Sequence, residues 1–278
     1  MKRLILWDLD GTLIDTLEDL GAAVNHALGL RGLPLLGLED FRHMVGHGVR
    51  NLVAQALAEA LRRKAAEDPE EKRTFEGVRV AESVPAAYSG EPAALEDSYV
   101  DSALADFKEY YSSNIDMHTR PYPGMPELLS ELAAAGVRMA VVSNKFQEGT
   151  ERLVCEFFPD IDFVAILGNR PGWPLKPSPE IVEEVLGRAG AVAGTGNGFD
   201  RAQSVSLRAD AVLVGDSPTD MRTAANGGID ALAVAWGYRS PEELTASLAT
   251  CSPAGTDRTP PPRIARSVDE LRRMLVSW

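Results

Sequence analysis

Short uninterrupted apolar runs alternate with stretches of helical spacing along most of this chain. The first run, Leu4-Ile5-Leu6-Trp7, is stopped by Asp8. A run without apolar/polar alternation predicts a strand buried on both faces, as in a parallel sheet. Thr16-Leu17-Glu18-Asp19 then reads as a capping box. Leu17, Leu20, Val24 and Leu28 follow at helical spacing, with Gly29 or Gly32 as the stop. Residues from about Phe41 to Arg63 predict more helix, with Leu52, Val53, Ala56, Leu57 and Leu61 on one side. A polar, loose stretch runs from about Arg62 to Asp97, and a helix resumes near Tyr99 through Phe107 to Tyr111.

Pro121-Tyr122-Pro123-Gly124 punctuates the chain, and the alternation returns after it. A helix over Glu127 to Ala135 stops at Gly136 and leads into the run Met139 to Val142. Another helix precedes Phe163 to Leu167, and a helix over Glu180 to Arg188 precedes a Gly-rich stretch of about 190–208. The run Ala211 to Val214, a short helix through Ala224-Ala225 and the run Ala231 to Val234 follow, with a last short strand at Ile264 and a helix from Val268 to Leu275. This order predicts an α/β fold, a doubly wound parallel sheet with helices on both faces. The helical segment breaks the alternation and reads as an insertion. The expected division is a catalytic core of residues 1–16 and 117–278 and a helical cap of 17–116.

Bulk properties narrow the function. A length of 278 residues suits one large α/β domain with an insertion, or two domains. The formal net charge of −13 argues against nucleic acid and against an anionic membrane surface. No apolar run approaches the ~20 residues of a membrane span, and Leu4 to Trp7 is too short for a signal peptide. Cys155 and Cys251 lack metal-ligand or CxxC spacing and read as free thiols in a reducing compartment, so a cytoplasmic location is expected. His26, His43 and His118 have no ligand-like spacing and read as structural. Gly194 to Gly198 has neither a preceding strand nor a following Gly-Lys-Ser/Thr, and reads as a surface loop.

Three apolar runs end in polar residues suited to one reaction. These are Asp8-Leu9-Asp10-Gly11-Thr12, Ser143-Asn144-Lys145 and Gly215-Asp216-Ser217-Pro218-Thr219-Asp220. The carboxyl ends of strands in an open α/β sheet share one edge, where ligands bind. Convergence there would gather Asp8, Asp10, Asp216 and Asp220, which repel unless a cation lies among them. An all-oxygen site suits Mg2+. Lys176, in Leu175-Lys176-Pro177, would add a positive charge for phosphate and for an attacking carboxylate. One of Asp8 and Asp10 would be the nucleophile and the other the proton carrier. Gly11 and Thr12 would offer backbone N–H groups to phosphate.

Asp8 to Leu13, Ser143-Asn144-Lys145, Lys176-Pro177 and Gly215 to Asp220, in that order, resemble the four motifs of the haloacid dehalogenase superfamily of phosphatases. The resemblance implies a Rossmann-like core and an inserted helical cap. It implies Asp8 as nucleophile and metal ligand, and Asp10 as acid/base with its backbone carbonyl on the metal. Ser143 would be the phosphate-binding hydroxyl with Asn144 beside it, and Lys176 the charge-balancing lysine. Asp216 would be a metal ligand, and Asp220 would support the metal or its waters.

Val45 to Arg50, Tyr122-Pro123-Gly124 and Trp236 to Arg239 resemble the phosphoglycolate phosphatase-like branch, which makes His47 and Arg50 candidate specificity residues. The implied activity is Mg2+-dependent hydrolysis of a small phosphorylated metabolite through an aspartyl-phosphate, by a monomer or homodimer. The competing readings are a sugar-phosphate phosphatase, a pyrophosphatase or a phosphomutase on the same core, and a non-catalytic binding protein. Trp7 sits where a smaller aromatic is common in the family, and a buried Trp needs room and a hydrogen-bond partner.

Overall fold

The computed structural model describes residues 2–67, 95–192, 206–250 and 263–278. The central part of the polar stretch (68–94), the Gly-rich segment 193–205 with its Gly194–Gly198 loop, and Cys251 lie outside the described residues. The chain divides into two compact units, Met1–Asp15 with Arg120–Trp278, and Thr16–Thr119.

The first unit is built on a parallel sheet of β1 (Leu4–Trp7), β4 (Arg138–Phe146), β5 (Ala165–Asn169), β6 (Ala211–Gly215), β7 (Asp230–Val234) and β8 (Ile264–Ala265). Their spatial order is β5-β4-β1-β6-β7-β8, with β1 paired in parallel to β4 on one side and β6 on the other. The order reverses beside β1, the switch point at which doubly wound sheets bind ligands.

The reason the strands read as unbroken apolar runs is visible in the packing. Leu4 and Leu6 join one core cluster with Ala140, Val142, Ala211 and Leu213. Alternate residues point to opposite faces, so Ile5, Trp7, Met139, Val141, Val212 and Val214 face the other side, and all are buried as well. Helix α7 (Glu180–Val192) covers the first face through Val182, Val185, Leu186 and Ala189. Helices α5 (Met125–Ala134) and α10 (Val268–Ser277) pack on each other, and α5 also packs on β4. Helices α6 (Gln147–Phe157), α8 (Pro218–Asn226) and α9 (Pro241–Thr250) complete the connections. Strand β4 runs past Val142, where a run ending there was expected, and continues through Ser143-Asn144-Lys145 with a register shift against β5. Trp7 is fully buried, and its indole N–H has no hydrogen-bond partner among the described residues.

A two-stranded antiparallel pair, β2 (Ile14–Asp15) and β3 (Arg120–Pro121), stands at the points where the chain leaves and re-enters the first unit. Each strand has two residues, too few for any periodicity to announce.

Among the described residues, the second unit holds α1 (Leu17–Gly29), α2 (Leu38–Met44), α3 (Val49–Glu67) and α4 (Asp97–Asn114). The helix expected over about Phe41 to Arg63 is present in two pieces. Gly46 and Gly48 have φ values of 108° and 86° and break the path between them, a backbone that L side chains rarely adopt. The expected capping box at Thr16 does not form, since Thr16 makes no side-chain cap bond. The Asp19 carboxylate instead accepts from the His118 and Thr119 N–H groups at 2.8–3.0 Å and from the Thr119 hydroxyl at 2.7 Å. Three tertiary donors at a buried carboxylate outweigh the one backbone N–H that a capping box would offer it. Arg31 ties α1 to α4 through Asp106 (2.7 Å) and the Ser102 hydroxyl (2.9 Å). His26 stacks on Tyr110 with ring centroids 4.5 Å apart, and Cys155 in the first unit is an exposed free thiol. No helix among the described residues is long and apolar enough to cross a membrane.

Candidate active site

The strand ends at the switch point deliver the acids. Asp8 follows β1 directly, its N–H donating to the Val214 carbonyl at 2.9 Å. Asp216 follows β6, and Asp220 sits in the first turn of α8. Carboxylate oxygens of Asp8, Asp216 and Asp220 lie within 4.8 Å of one another, and all three residues are buried. Gly215 has to be glycine, because a Cβ there would stand 2.4 Å from the Asp220 carboxyl carbon.

Lys176 is the cation among them. Its buried Nζ donates to Asp8 Oδ1 at 2.6 Å, to Asp220 Oδ1 at 2.7 Å and to the Val142 carbonyl at 3.0 Å. Asn144 holds the main chain of that lysine. Its Oδ1 accepts from the Lys176 N–H (2.8 Å), and its Nδ2 donates to the Lys176 carbonyl (3.1 Å). The other oxygen of Asp220 closes the start of α8, accepting from the Ser217 N–H (3.1 Å) and hydroxyl (2.6 Å). Asp216 Oδ2 accepts from the Tyr238 N–H at 2.7 Å.

Asp10 is not part of the three-acid group. Its carboxylate pairs with Lys145 Nζ at 3.0 Å, both side chains largely buried. Gly11 turns the chain with φ 84°, and a Cβ there would meet Asp216 Oδ2 at 2.5 Å, so the turn needs glycine for conformation and for space. The Thr12 hydroxyl is fully buried and has no hydrogen-bond partner among the described residues. The Ser143 hydroxyl, also buried, accepts from the Lys145 N–H at 3.1 Å.

The electrostatics follow from three buried carboxylates facing one ammonium. Burial, then the charge of Asp220, pushes the Asp8 carboxyl well above the usual carboxylate range, against the pull of Lys176. Burial and Asp220 likewise push Asp216 up to about 7, opposed by the Tyr238 N–H, Arg239 and Lys176. Burial would lower Lys176, but Asp220 and Asp8 outweigh it and hold the ammonium above its ordinary value. Protein charges alone leave the negative side in excess. Buried, unbalanced carboxylate oxygens with no imidazole or thiolate among them fit a hard divalent cation such as Mg2+.

Of the residues singled out in the sequence, Asp8, Asp10, Gly11, Thr12, Ser143, Asn144, Lys176, Asp216 and Asp220 all belong to the first unit. His47 and Arg50 belong to the second. His47 lies between the two left-handed glycines, and Arg50 donates to Asp97 (2.8 Å) and Asp101 (3.0 Å). Sequence reasoning missed two participants. Lys145 ends the Ser143-Asn144-Lys145 motif, but nothing in its spacing pairs it with Asp10. Tyr238 contributes a backbone N–H, which leaves no side-chain signature.

The family described as Haloacid dehalogenase-like hydrolase matches residues 5–234. A phosphoglycolate phosphatase of Mesorhizobium japonicum is 30% identical over 237 residues, 85% of this chain and 84% of that protein. One of Caulobacter vibrioides is 32% identical over 234 residues, 84% of this chain and 79% of that protein. Among solved structures, a candidate phosphoglycolate phosphatase from Lactobacillus delbrueckii subsp. bulgaricus superposes with a TM-score of 0.73 at 30% identity, covering 99% of each chain.

Proposed function

Because the chain belongs to the haloacid dehalogenase-like hydrolase family, we propose that it is a Mg2+-dependent phosphatase that hydrolyses a small phosphate monoester, phosphoglycolate or a close analogue, through a phosphorylated Asp8. The observation that carries this reading is the buried Asp8–Lys176–Asp220 bridge beside Asp216. It presents a carboxylate whose charge is steadied on one oxygen. The relatives named phosphoglycolate phosphatase support the substrate class.

Asp8, Asp216 and Asp220 would hold the cation, with the Asp10 backbone carbonyl as a further oxygen. When bound, the cation supplies charge neutralisation for phosphate oxygens. Attack by an Asp8 oxygen on phosphorus forms the acyl-phosphate bond as the ester P–O bond breaks. The Asp10 carboxyl gives its proton to the leaving oxygen. Asp10, now a carboxylate, takes a proton from water, whose oxygen attacks phosphorus and breaks the bond to Asp8. Lys176 remains charged throughout and balances the negative charge gathering around Asp8. The Ser143 hydroxyl and the Gly11 and Thr12 N–H groups would bind the phosphoryl oxygens. Asn144 serves by fixing Lys176. His47 and Arg50 are the candidate specificity residues of the helical unit.

The test is the Asp8→Asn variant, assayed on a panel of phosphorylated metabolites with Mg2+ and with chelator. The expected result is loss of turnover in a folded protein, and chelator-sensitive turnover of phosphoglycolate by the native one. Native-rate hydrolysis by Asp8→Asn would overturn the mechanism. Preference for a sugar phosphate or for pyrophosphate would overturn only the substrate.

A further inference from the structure

The segment Trp236–Arg239 touches two places at once. On one side it grips Asp216. Tyr238 donates its N–H to Asp216 Oδ2 at 2.7 Å. Gly237 lies so close that a Cβ would stand 2.4 Å from Asp216 Oδ2 and from the Gly11 carbonyl. On the other side it holds the stretch through which the chain leaves the first unit. The Trp236 indole N–H donates to the Thr12 carbonyl at 3.2 Å, and the Tyr238 hydroxyl donates to Asp15 Oδ1 at 3.3 Å. The Trp236 ring also stands 6.2 Å from the ring of Tyr122, tilted by 57°. Tyr122 follows β3, and its N–H donates to the Leu13 carbonyl at 3.1 Å. Asp15 of β2 and Tyr122, which directly follows β3, are therefore each met by a side chain that flanks the backbone bound to Asp216.

We propose that Trp236 and Tyr238 are positioning residues that couple the state of Asp216 to the exit strands β2 and β3. The proposal rests on the reading of Asp216 as a cation ligand. A cation drawing on Asp216 fixes its carboxylate, which fixes the Tyr238 N–H, and the adjoining indole and phenol then restrain Thr12, Asp15 and Tyr122. Each link is a single contact of modest strength, and their effect comes from acting on one short, close-packed segment. Gly237 admits no side chain, so the segment has little room to shift without moving Asp216 or Gly11. Occupancy of the site would thus tighten the two strands at which the helical unit is attached.

Hydrogen exchange on the full chain, with chelator and with Mg2+, tests this at the amides of Leu13, Ile14, Asp15, Arg120 and Tyr122. Mg2+ binding is measured in parallel by calorimetry. In the native protein Mg2+ is expected to slow exchange there by about threefold or more, a shift in local opening. A Trp236→Phe/Tyr238→Phe variant keeps an aromatic ring at each position and the backbone N–H but lacks the indole and phenol donors. It should bind Mg2+ and show little of that slowing. Tyr238→Phe alone, the milder change, should lose part of it. Native-like slowing in these variants, or none in the native protein while calorimetry shows Mg2+ bound, would overturn the coupling and leave the proposed function standing. No Mg2+ binding by the native protein would overturn both.

Discussion

Lys176 reaches Asp8 across 168 positions of sequence to make a 2.6 Å contact in which both side chains are buried. Removing the ammonium while keeping the packing, as in Lys176→Met, would leave Asp8, Asp216 and Asp220 facing one another without it. Breaking a buried ion pair from one side costs about 3–5 kcal/mol. The expected result is a lower melting temperature that Mg2+ partly restores. Turnover should fall by about 10²-fold or more, because the charge at Asp8 is no longer balanced. Thermal melts with and without Mg2+, together with kcat, check both parts.

The acid cluster also fixes the sign of a pH effect. Asp216 titrates at about 7 in the cation-free protein, and an unfolded aspartate titrates near about 3.9. Between those values the folded chain holds a proton that the unfolded chain has lost. Stability of the cation-free protein therefore falls as pH rises through that window. Mg2+ favours the ionised carboxylate, so it should raise the melting temperature more at about pH 8 than at about pH 5.5. In Asp216→Asn this contribution to the slope disappears. Melting curves across pH with chelator and with Mg2+ decide the matter.

Gly237→Ala tests the close approach at the same acid. The added methyl would stand 2.4 Å from the Asp216 Cβ and Oδ2 and from the Gly11 carbonyl. Backbone and carboxylate have to move apart, at a cost of about 1–3 kcal/mol for overpacking. Mg2+ affinity should drop about tenfold or more, since ligand placement tolerates only small displacements. Calorimetric titration of the variant with Mg2+ reads this directly.

What was legible in the sequence was what packing repeats. Leu4 to Trp7 and Ala211 to Val214 announced buried strands because the sheet is covered on both faces. Asp8 and Asp216 stood out because each interrupts such a run at its carboxyl end. The hidden features depend on tertiary contacts that leave no local pattern. Lys145 meets Asp10 over 135 positions, and Tyr238 serves Asp216 with a main-chain donor. Strands β2 and β3 are too short for a period. The helix Pro241–Thr250 opens on Pro-Glu-Glu but mixes Thr, Ala and Ser with few large apolar residues, so no buried stripe marked it. At Thr16 the local signal was misleading, because the capping-box acid had better partners elsewhere.

That acid supplies the last prediction. Asp19 is buried in the helical unit and accepts from the His118 N–H, the Thr119 N–H and the Thr119 hydroxyl. An amide in its place keeps the shape but turns an NH2 toward one of those donors, leaving unmatched groups in the interior. Each unsatisfied buried polar group costs about 1–3 kcal/mol, so Asp19→Asn should destabilise the protein by about 2–4 kcal/mol. Asp19→Ala should do similar harm by orphaning the His118 and Thr119 N–H groups at once, while the Thr119 hydroxyl keeps the Ile115 carbonyl at 3.0 Å. Neither change touches the carboxylates of the first unit, so Mg2+ affinity measured by calorimetry on the folded variants should stay at the native value. A loss of stability together with an unchanged cation affinity would establish Asp19 as a clasp between α1 and the chain after α4. Native stability in both variants would mean that the three donors find other partners, and that Asp19 is no clasp.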